Sequence, residues 1–346
     1  MAARFRSAQR RWRAQPARAL PAADVEATAA LPSSRSLVGA RRRLGDKAFR
    51  GLTALFALAL LGLAAVILYQ LAIGAAPAFR AFGPGFVLRS TWDPVRDQFG
   101  AFPFIAGTLL TSAMALLIAL PVSTGIAVFL AEYAPSWLRD PLSFLVELLA
   151  AVPSVVYGLW GIFVLAPVMH DVVDPAIEAS PLGWLPFFGT PFLGLNMLTA
   201  SVVLAIMVIP IVAALSREVL LAVPVSQREA ALALGMTRWE SIRHAVLAYG
   251  KAGVFGAAIL GLGRALGETM AVTMLIGNQP KATLDFFQPG YTMSAVIANE
   301  FAEATGGLQL SSLVAIGLVL FVLSFVVNVG ARLLVRRMKH AGGAAT

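Results

Sequence analysis

Cysteine is missing from all 346 positions of the chain, which excludes disulfides, thiolate metal sites and cysteine nucleophiles. Charge is scarce too. Asp, Glu, Lys and Arg make up 13% of the residues, against about a quarter in an average soluble domain. The three histidines, His170, His244 and His340, lie far apart and show no ligand spacing, so no metal site is expected. A phosphate-cradling Gly-x-x-x-x-Gly-Lys-Ser/Thr loop is also lacking. Lys251 follows Gly250, but Ala252 stands where the hydroxyl belongs and the upstream glycine is absent. The chain therefore has no ATP site of this kind. Nucleophile–base pairs and His-Glu-x-x-His are missing from the apolar stretches, which argues against an intramembrane enzyme. No internal repeat and no duplicated broken helices are visible, which argues against a gradient-driven secondary transporter or channel.

What is present is apolar sequence, 58% of the chain. A helix needs about 20 apolar residues to cross the hydrocarbon core. Six stretches qualify, over about 51–75, 105–130, 144–168, 197–215, 252–276 and 311–334. Pro121, Pro153 and Pro210 punctuate them, as transmembrane bundles tolerate where neighbours re-satisfy the backbone. The expected fold class is an all-α membrane protein with six transmembrane helices. A basic extension precedes the membrane domain over 1–48, the domain itself occupies 49–338 with its longest inner loop at 217–250, and a short tail follows at 339–346. The outer loops, roughly 76–104, 169–196 and 278–309, carry acids, aromatics, glycines and prolines and read as a docking surface.

The net charge of +9 is concentrated at one end: residues 1–50 hold twelve Lys/Arg and three acids. Rich in Ala, Pro and Arg, this segment reads as mostly disordered. A basic stretch beside a first span fixes topology and meets the anionic lipid of the bilayer, so nucleic acid is not the expected partner. Its apolar segment begins too late and runs too long for a cleaved signal peptide. With a cytoplasmic N-terminus, the inner segments carry twenty-two Lys/Arg and the outer ones four, Arg80, Arg89, Arg96 and Lys281. The bias gives an N-in, C-in arrangement.

Three ionisable residues fall within the expected spans: Glu147, Arg264 and Glu268. Each costs a few kcal/mol or more at mid-membrane and marks a pathway or a pair. Arg264 and Glu268, at i and i+4, would share one face of a helix, and Gly261, Gly263 and Gly267 would let another backbone approach it. Two readings fit: a structural ion pair, or an anion site in which the Arg fork meets phosphate-like oxygens. Glu147, near a span's cytoplasmic end, reads as reaching the interface.

The inner loop contains an Ala- and Leu-rich run, 226–234, that favours a short helix, followed by Gly235 as a turn or close approach. Glu229-Ala230-Ala231, three residues, then Gly235 resembles the EAA loop of bacterial ABC-importer permeases. In that family this loop is the coupling helix that docks on the ATPase subunit. The family usually continues Ile-x-Leu-Pro; here Ala245-Val246-Leu247-Ala248 lacks the proline. The run from Gly263-Arg264-Ala265-Leu266-Gly267-Glu268-Thr269 to Met274 resembles the signature of PstC-type phosphate permeases. So do the run from Pro153-Ser154-Val155-Val156-Tyr157-Gly158 to Gly161 and Gly107-Thr108-Leu109-Leu110. PstA-type sisters share the Arg-Ala-x-Gly-Glu-Thr stretch but differ after it.

The resemblance covers about residues 50–335. It implies the type I ABC-importer (MetI-like) permease fold and phosphate import across the bacterial inner membrane, driven by ATP hydrolysis on another subunit. The implied partners are a PstA-like permease, a PstB-like ATPase dimer holding ATP and Mg, and a PstS-like phosphate-binding protein outside. No cofactor is implied for this chain. It also implies that Arg264 and Glu268 lie on the substrate path and that Glu229, Ala230, Ala231 and Gly235 couple to the ATPase. The rival within the fold is a permease for another oxyanion, sulfate or molybdate.

Overall fold

A computed structural model describes residues 38–190 and 194–343. They are helical apart from turns, loops of which the longest covers 276–292, and an isolated bridge between Asp93 and Gln98. The chain divides into two units at Ala65–Val66. Six helices are long and apolar enough to cross a membrane: Lys47–Phe82, Phe102–Tyr133, Ser154–Glu178, Met197–Leu221, Arg238–Gly267 and Gly307–Arg336. In chain order the helices are α1 (Val38–Phe82), α2 (Phe102–Tyr133), α3 (Ser136–Ala151), α4 (Ser154–Glu178) and α5 (Met197–Leu221). After these come α6 (Val225–Ala233), α7 (Arg238–Gly267), α8 (Met270–Leu275), α9 (Met293–Glu300) and α10 (Gly307–Gly343).

The first unit contributes the early part of α1, where Leu52, Leu55, Phe56, Leu58 and Leu61 are all exposed, as suits a surface solvated by lipid. The expected extension over 1–48 lies outside the described residues as far as 37; from Val38 the backbone is helical.

In the second unit α5 is the central element. It packs most extensively on α2 and next on α7, and buries Leu198, Val203, Leu204, Met207, Val208 and Val212. Pro210 sits inside α5 and Pro121 inside α2. Near them the Ser123 hydroxyl of α2 donates to the Ile209 carbonyl of α5 at 3.2 Å, a polar link between the two spans. Ser311 of α10 is inserted into the ladder of α1. Its hydroxyl donates to the Gly74 carbonyl and accepts from the Ala78 amide, both at 2.9 Å. A second core, of Phe86, Phe99, Phe104, Tyr291 and Met293, lies between that end of α1, α2 and α9.

Two spans differ from expectation. The third runs over Ser154–Glu178 rather than 144–168. Val152 and Pro153 adopt extended backbone, because a residue before proline is pushed out of the helical region. Residues 144–151 thereby belong to a separate helix, α3, which buries none of its residues. Glu147 is exposed on α3 and lies outside the third span altogether. The fifth span ends at Gly267 instead of running to 276, and α8 resumes after two residues. The connection expected over 217–250 is also tighter, since α5 continues to Leu221 and α7 begins at Arg238. The expected C-terminal tail is helical as far as Gly343.

Candidate functional site

The helix break between α7 and α8 decides where Arg264 and Glu268 lie. Glu268 has φ −69° and ψ 132°, so it leaves the helix on which Arg264 sits. The spacing alone therefore does not make a pair: the chain turns away at Glu268, and among the described residues no ion pair joins it to Arg264. Arg264 is exposed on the isolated chain and Glu268 half-buried. Arg264 stands within electrostatic reach of the Tyr157 phenol on α4. Asn328 of α10 lies against the neighbouring Gly263, its Oδ1 at 3.5 Å from where a Cβ would be.

In a membrane every backbone group freed by a break needs a partner. Around this break the structure supplies several. The Ser294 hydroxyl of α9 donates to the Glu268 carbonyl at 2.7 Å. The Thr273 hydroxyl and amide both donate to the Thr269 carbonyl, at 2.8 and 2.9 Å. The Asn278 side-chain amide donates to the Thr273 carbonyl at 2.7 Å.

The three segments singled out in the sequence meet around this break. Gly158 on α4 packs on α8, where a Cβ would lie 2.5 Å from the Met274 sulfur and 3.2 Å from Ala271 Cα. Gly107 on α2 packs so closely on the Tyr291 backbone that a Cβ would collide with its carbonyl. The adjacent Thr108 hydroxyl accepts from the Met293 amide at 2.9 Å, at the start of α9. Small residues thus act here as close-approach sites between helices, and α9 carries the contact back to Glu268. Sequence reasoning missed Ser294 and Asn328, which stand on other elements with no local motif.

The coupling-loop candidates lie together on the connection between α5 and α7. Glu229, Ala230 and Ala231 are in α6, with Glu229 and Ala230 exposed and Ala231 buried. Gly235 ends the helix at φ 81°. The Met236 amide donates to the Ala231 carbonyl and the Gly235 amide to that of Leu232, the paired bonds of a helix stop with a left-handed residue. A Cβ on Gly235 would meet nothing within 4 Å, so the glycine is there for the turn and not for close approach. Thr237 and Glu240 then form a capping box that starts α7. Val225, Leu232, Leu234 and Trp239 are left exposed on this segment.

Underneath, Arg228 makes the contacts that hold α6 in place. Its Nε and Nη2 donate to Glu132 Oε1 at 3.0 and 2.8 Å. Nη2 also donates to the Leu220 carbonyl at 2.8 Å, and Nη1 to that of Val223. Arg238 donates to the Glu132 carbonyl, and its guanidinium lies 4.9 Å over the Tyr133 ring. The sequence reading counted Arg228 and Arg238 only as inner positive charge and did not single out Glu132.

On the other side of the spans, Trp92 Nε1 donates to Glu300 Oε2 at 2.9 Å and the Asn299 amide to the Tyr291 hydroxyl at 3.0 Å. Burial, opposed by the Trp92 bond and aided by Glu303, holds the Glu300 carboxyl above the usual carboxylate range. Burial above all pushes the Tyr291 phenol up to about 12. Asp174, expected in an outer loop, is instead fully buried at the end of α4, accepting from the Asn196 side-chain amide at 3.0 Å.

Residues 123–340 match the family model described as binding-protein-dependent transport system inner membrane component. The phosphate transport system permease protein PstC of Haemophilus influenzae is 45% identical over 303 residues, 86% of this chain and 95% of its own length. PstC of Mesorhizobium japonicum is 43% identical over 327 residues, 92% of this chain and 98% of its own. A crystal structure of a bacterial ABC transporter involved in import of the acidic polysaccharide alginate aligns with TM-score 0.54 at 19% identity, over 85% of this chain and 99% of that one. An inward-facing MetNI methionine ABC transporter aligns with TM-score 0.52 at 16% identity, over 72% and 99%. These two likenesses concern the fold.

Proposed function

This chain belongs to the binding-protein-dependent transport inner membrane components, in the group of PstC phosphate permeases, and from that premise we propose how it works. It is a multi-pass inner membrane protein and the permease subunit of an ABC importer that moves inorganic phosphate into the cytoplasm. Chemical work falls to partner ATPase subunits, which hold ATP and Mg, and this chain contributes a path and a coupling surface. A second, PstA-like permease completes the path, and a PstS-like binding protein delivers phosphate from outside. Both termini face the cytoplasm, a reading supported by the twenty-two inner Lys/Arg against four outer ones.

The observation that carries this reading is the convergence of α2, α4, α8 and α9 on the break beside Arg264. The guanidinium there is not neutralised by Glu268, so its fork is available to a phosphate oxyanion. A lone Arg suits passage, since a path must bind its ion weakly enough to release it. At the inner face, the Glu229–Gly235 segment and its exposed Leu232, Leu234 and Trp239 form the surface that an ATPase covers. Closure of the ATPase dimer would move α6 and open the bundle outward; hydrolysis would reset it.

The test is phosphate uptake into proteoliposomes holding this chain with its permease partner and ATPase, with binding protein outside and ATP inside. ATP-dependent uptake indifferent to sulfate and molybdate supports the reading. Competition by either ion changes the substrate and keeps the fold; uptake without ATPase overturns the importer mechanism.

A further inference from the structure

The contacts of Arg228 join α6 to the end of α5, its neighbour in sequence, and to the end of α2, which is distant. Its guanidinium reaches Glu132 at the end of α2, the Leu220 carbonyl in the last turn of α5 and the Val223 carbonyl just beyond it. The last carbonyls of a helix lack partners within it, and a cation there satisfies them and complements the helix dipole. Glu132 and Arg228 are separated by 96 residues of chain, so the covalent backbone cannot transmit a displacement of α6 to α2. Their side chains are 12% and 21% exposed, which shields the pair from the water that weakens surface ion pairs.

Arg238 grips the same end of α2 from beyond the turn, through the Glu132 carbonyl and the Tyr133 ring. The segment that runs from α6 through Gly235 into α7 therefore holds α2 at two points. An apolar cluster of Ala127, Ala131, Leu220, Val223, Ile242 and Val246 fills the space among these helix ends. Side chains packed at this density leave little slack for the elements to slide independently.

We infer that the Glu132–Arg228 ion pair is a positioning device that makes the coupling helix α6 and the inner ends of α2 and α5 move as one body. α2 and α5 are the two spans most extensively packed on each other, and α2 carries the Gly107–Thr108 contact toward the Arg264 break. A push on α6 is thereby delivered to the helices around the ion path. Without the pair, α6 stays attached through α5 and reaches α2 only by way of Arg238 and the apolar cluster, so α2 follows it less closely. This inference rests on the permease reading above and adds to it the residues through which movement is transmitted.

The experiment uses the complete reconstituted complex and radiolabelled inorganic phosphate. Glu132→Gln keeps an acceptor and loses the charge; Arg228→Lys keeps the charge and loses the fork that reaches carboxylate and carbonyls together. Both variants are expected to retain the ATPase subunits on purification and to hydrolyse ATP, while phosphate moved per ATP falls at least about fivefold. The double variant is expected to be no worse than the poorer single one, since both remove one interaction. A wild-type phosphate-to-ATP ratio in both single variants overturns the inference. So do losses that multiply in the double variant, or loss of the ATPase subunits from either single variant, which would make the pair a scaffold for docking. Failure of the unaltered complex to take up phosphate with ATP would instead count against the permease reading itself.

Discussion

The Ser294 hydroxyl donates to the carbonyl of Glu268 at 2.7 Å, so a residue on α9 stabilises the point at which the fifth span stops being a helix. Ser294→Ala leaves that carbonyl without its donor, at a cost of about 1–3 kcal/mol. The expected result is a lower thermal midpoint of the purified complex together with reduced phosphate uptake. An unchanged midpoint would show that the break is held by other means.

Arg264→Ala is expected to lower phosphate uptake at least about tenfold, the scale of one lost charge-assisted hydrogen bond. Arg264→Lys should fall between, because an ammonium keeps charge without the planar fork. Glu268 is off the helix of Arg264 and does not pair with it. Adding Glu268→Gln to Arg264→Ala should therefore restore nothing. Recovery of uptake in the double variant would reinstate the ion pair that the sequence spacing suggested.

The glycines of the converging segments should rank by what faces them. At Gly107 the obstacle to a Cβ is backbone, the Tyr291 carbonyl, whereas at Gly158 it includes the flexible tip of Met274. Gly107→Ala is thus expected to destabilise more than Gly158→Ala, by about 1–3 kcal/mol or more where nothing can shift. Gly256 has nothing within 4 Å of a Cβ, so Gly256→Ala serves as the control. It should be neutral or stabilising by up to about 1 kcal/mol from helix propensity. Thermal midpoints of the three variants decide the order.

Glu300 makes a prediction about pH. Its carboxyl is held above the usual range chiefly by burial, so the folded chain binds this proton more tightly than the unfolded chain does. The contribution to stability is present at acid pH and is lost as pH rises from the ordinary carboxylate range through the raised folded value. Glu300→Gln stays neutral and removes that slope. Thermal midpoints followed from acid to neutral pH should fall more steeply in the unaltered protein than in the variant; parallel curves would contradict the assignment.

Much of the architecture was legible in the residues. Six apolar stretches, the inner excess of Lys/Arg and the EAA and Gly-Arg-Ala-Leu-Gly-Glu-Thr runs led to a six-helix ABC-importer permease of the PstC kind, and the family match and relatives agree. The errors lay at helix ends. Leu-rich residues 144–151 look like the start of a span, yet Pro153 confines them to α3. Residues 268–269 sit inside an apolar run and nothing local marks them as a break.

By itself the sequence determined that the chain is a bundle of membrane-length helices. Apolar length sets what lipid will accept, and in lipid the helix is the form that satisfies its own backbone. It also placed a short helix before Gly235, and the structure decided that this glycine serves the turn and not a close approach. Only the tertiary structure decided that the fifth span breaks at Glu268 and that Arg264 and Glu268 form no ion pair, with Ser294 and Asn278 donating to the Glu268 and Thr273 carbonyls. Only the tertiary structure brought Glu132 to Arg228 across 96 residues. A helix end and an ion pair of this kind depend on partners far along the chain, and no periodicity in the sequence records which partner arrives.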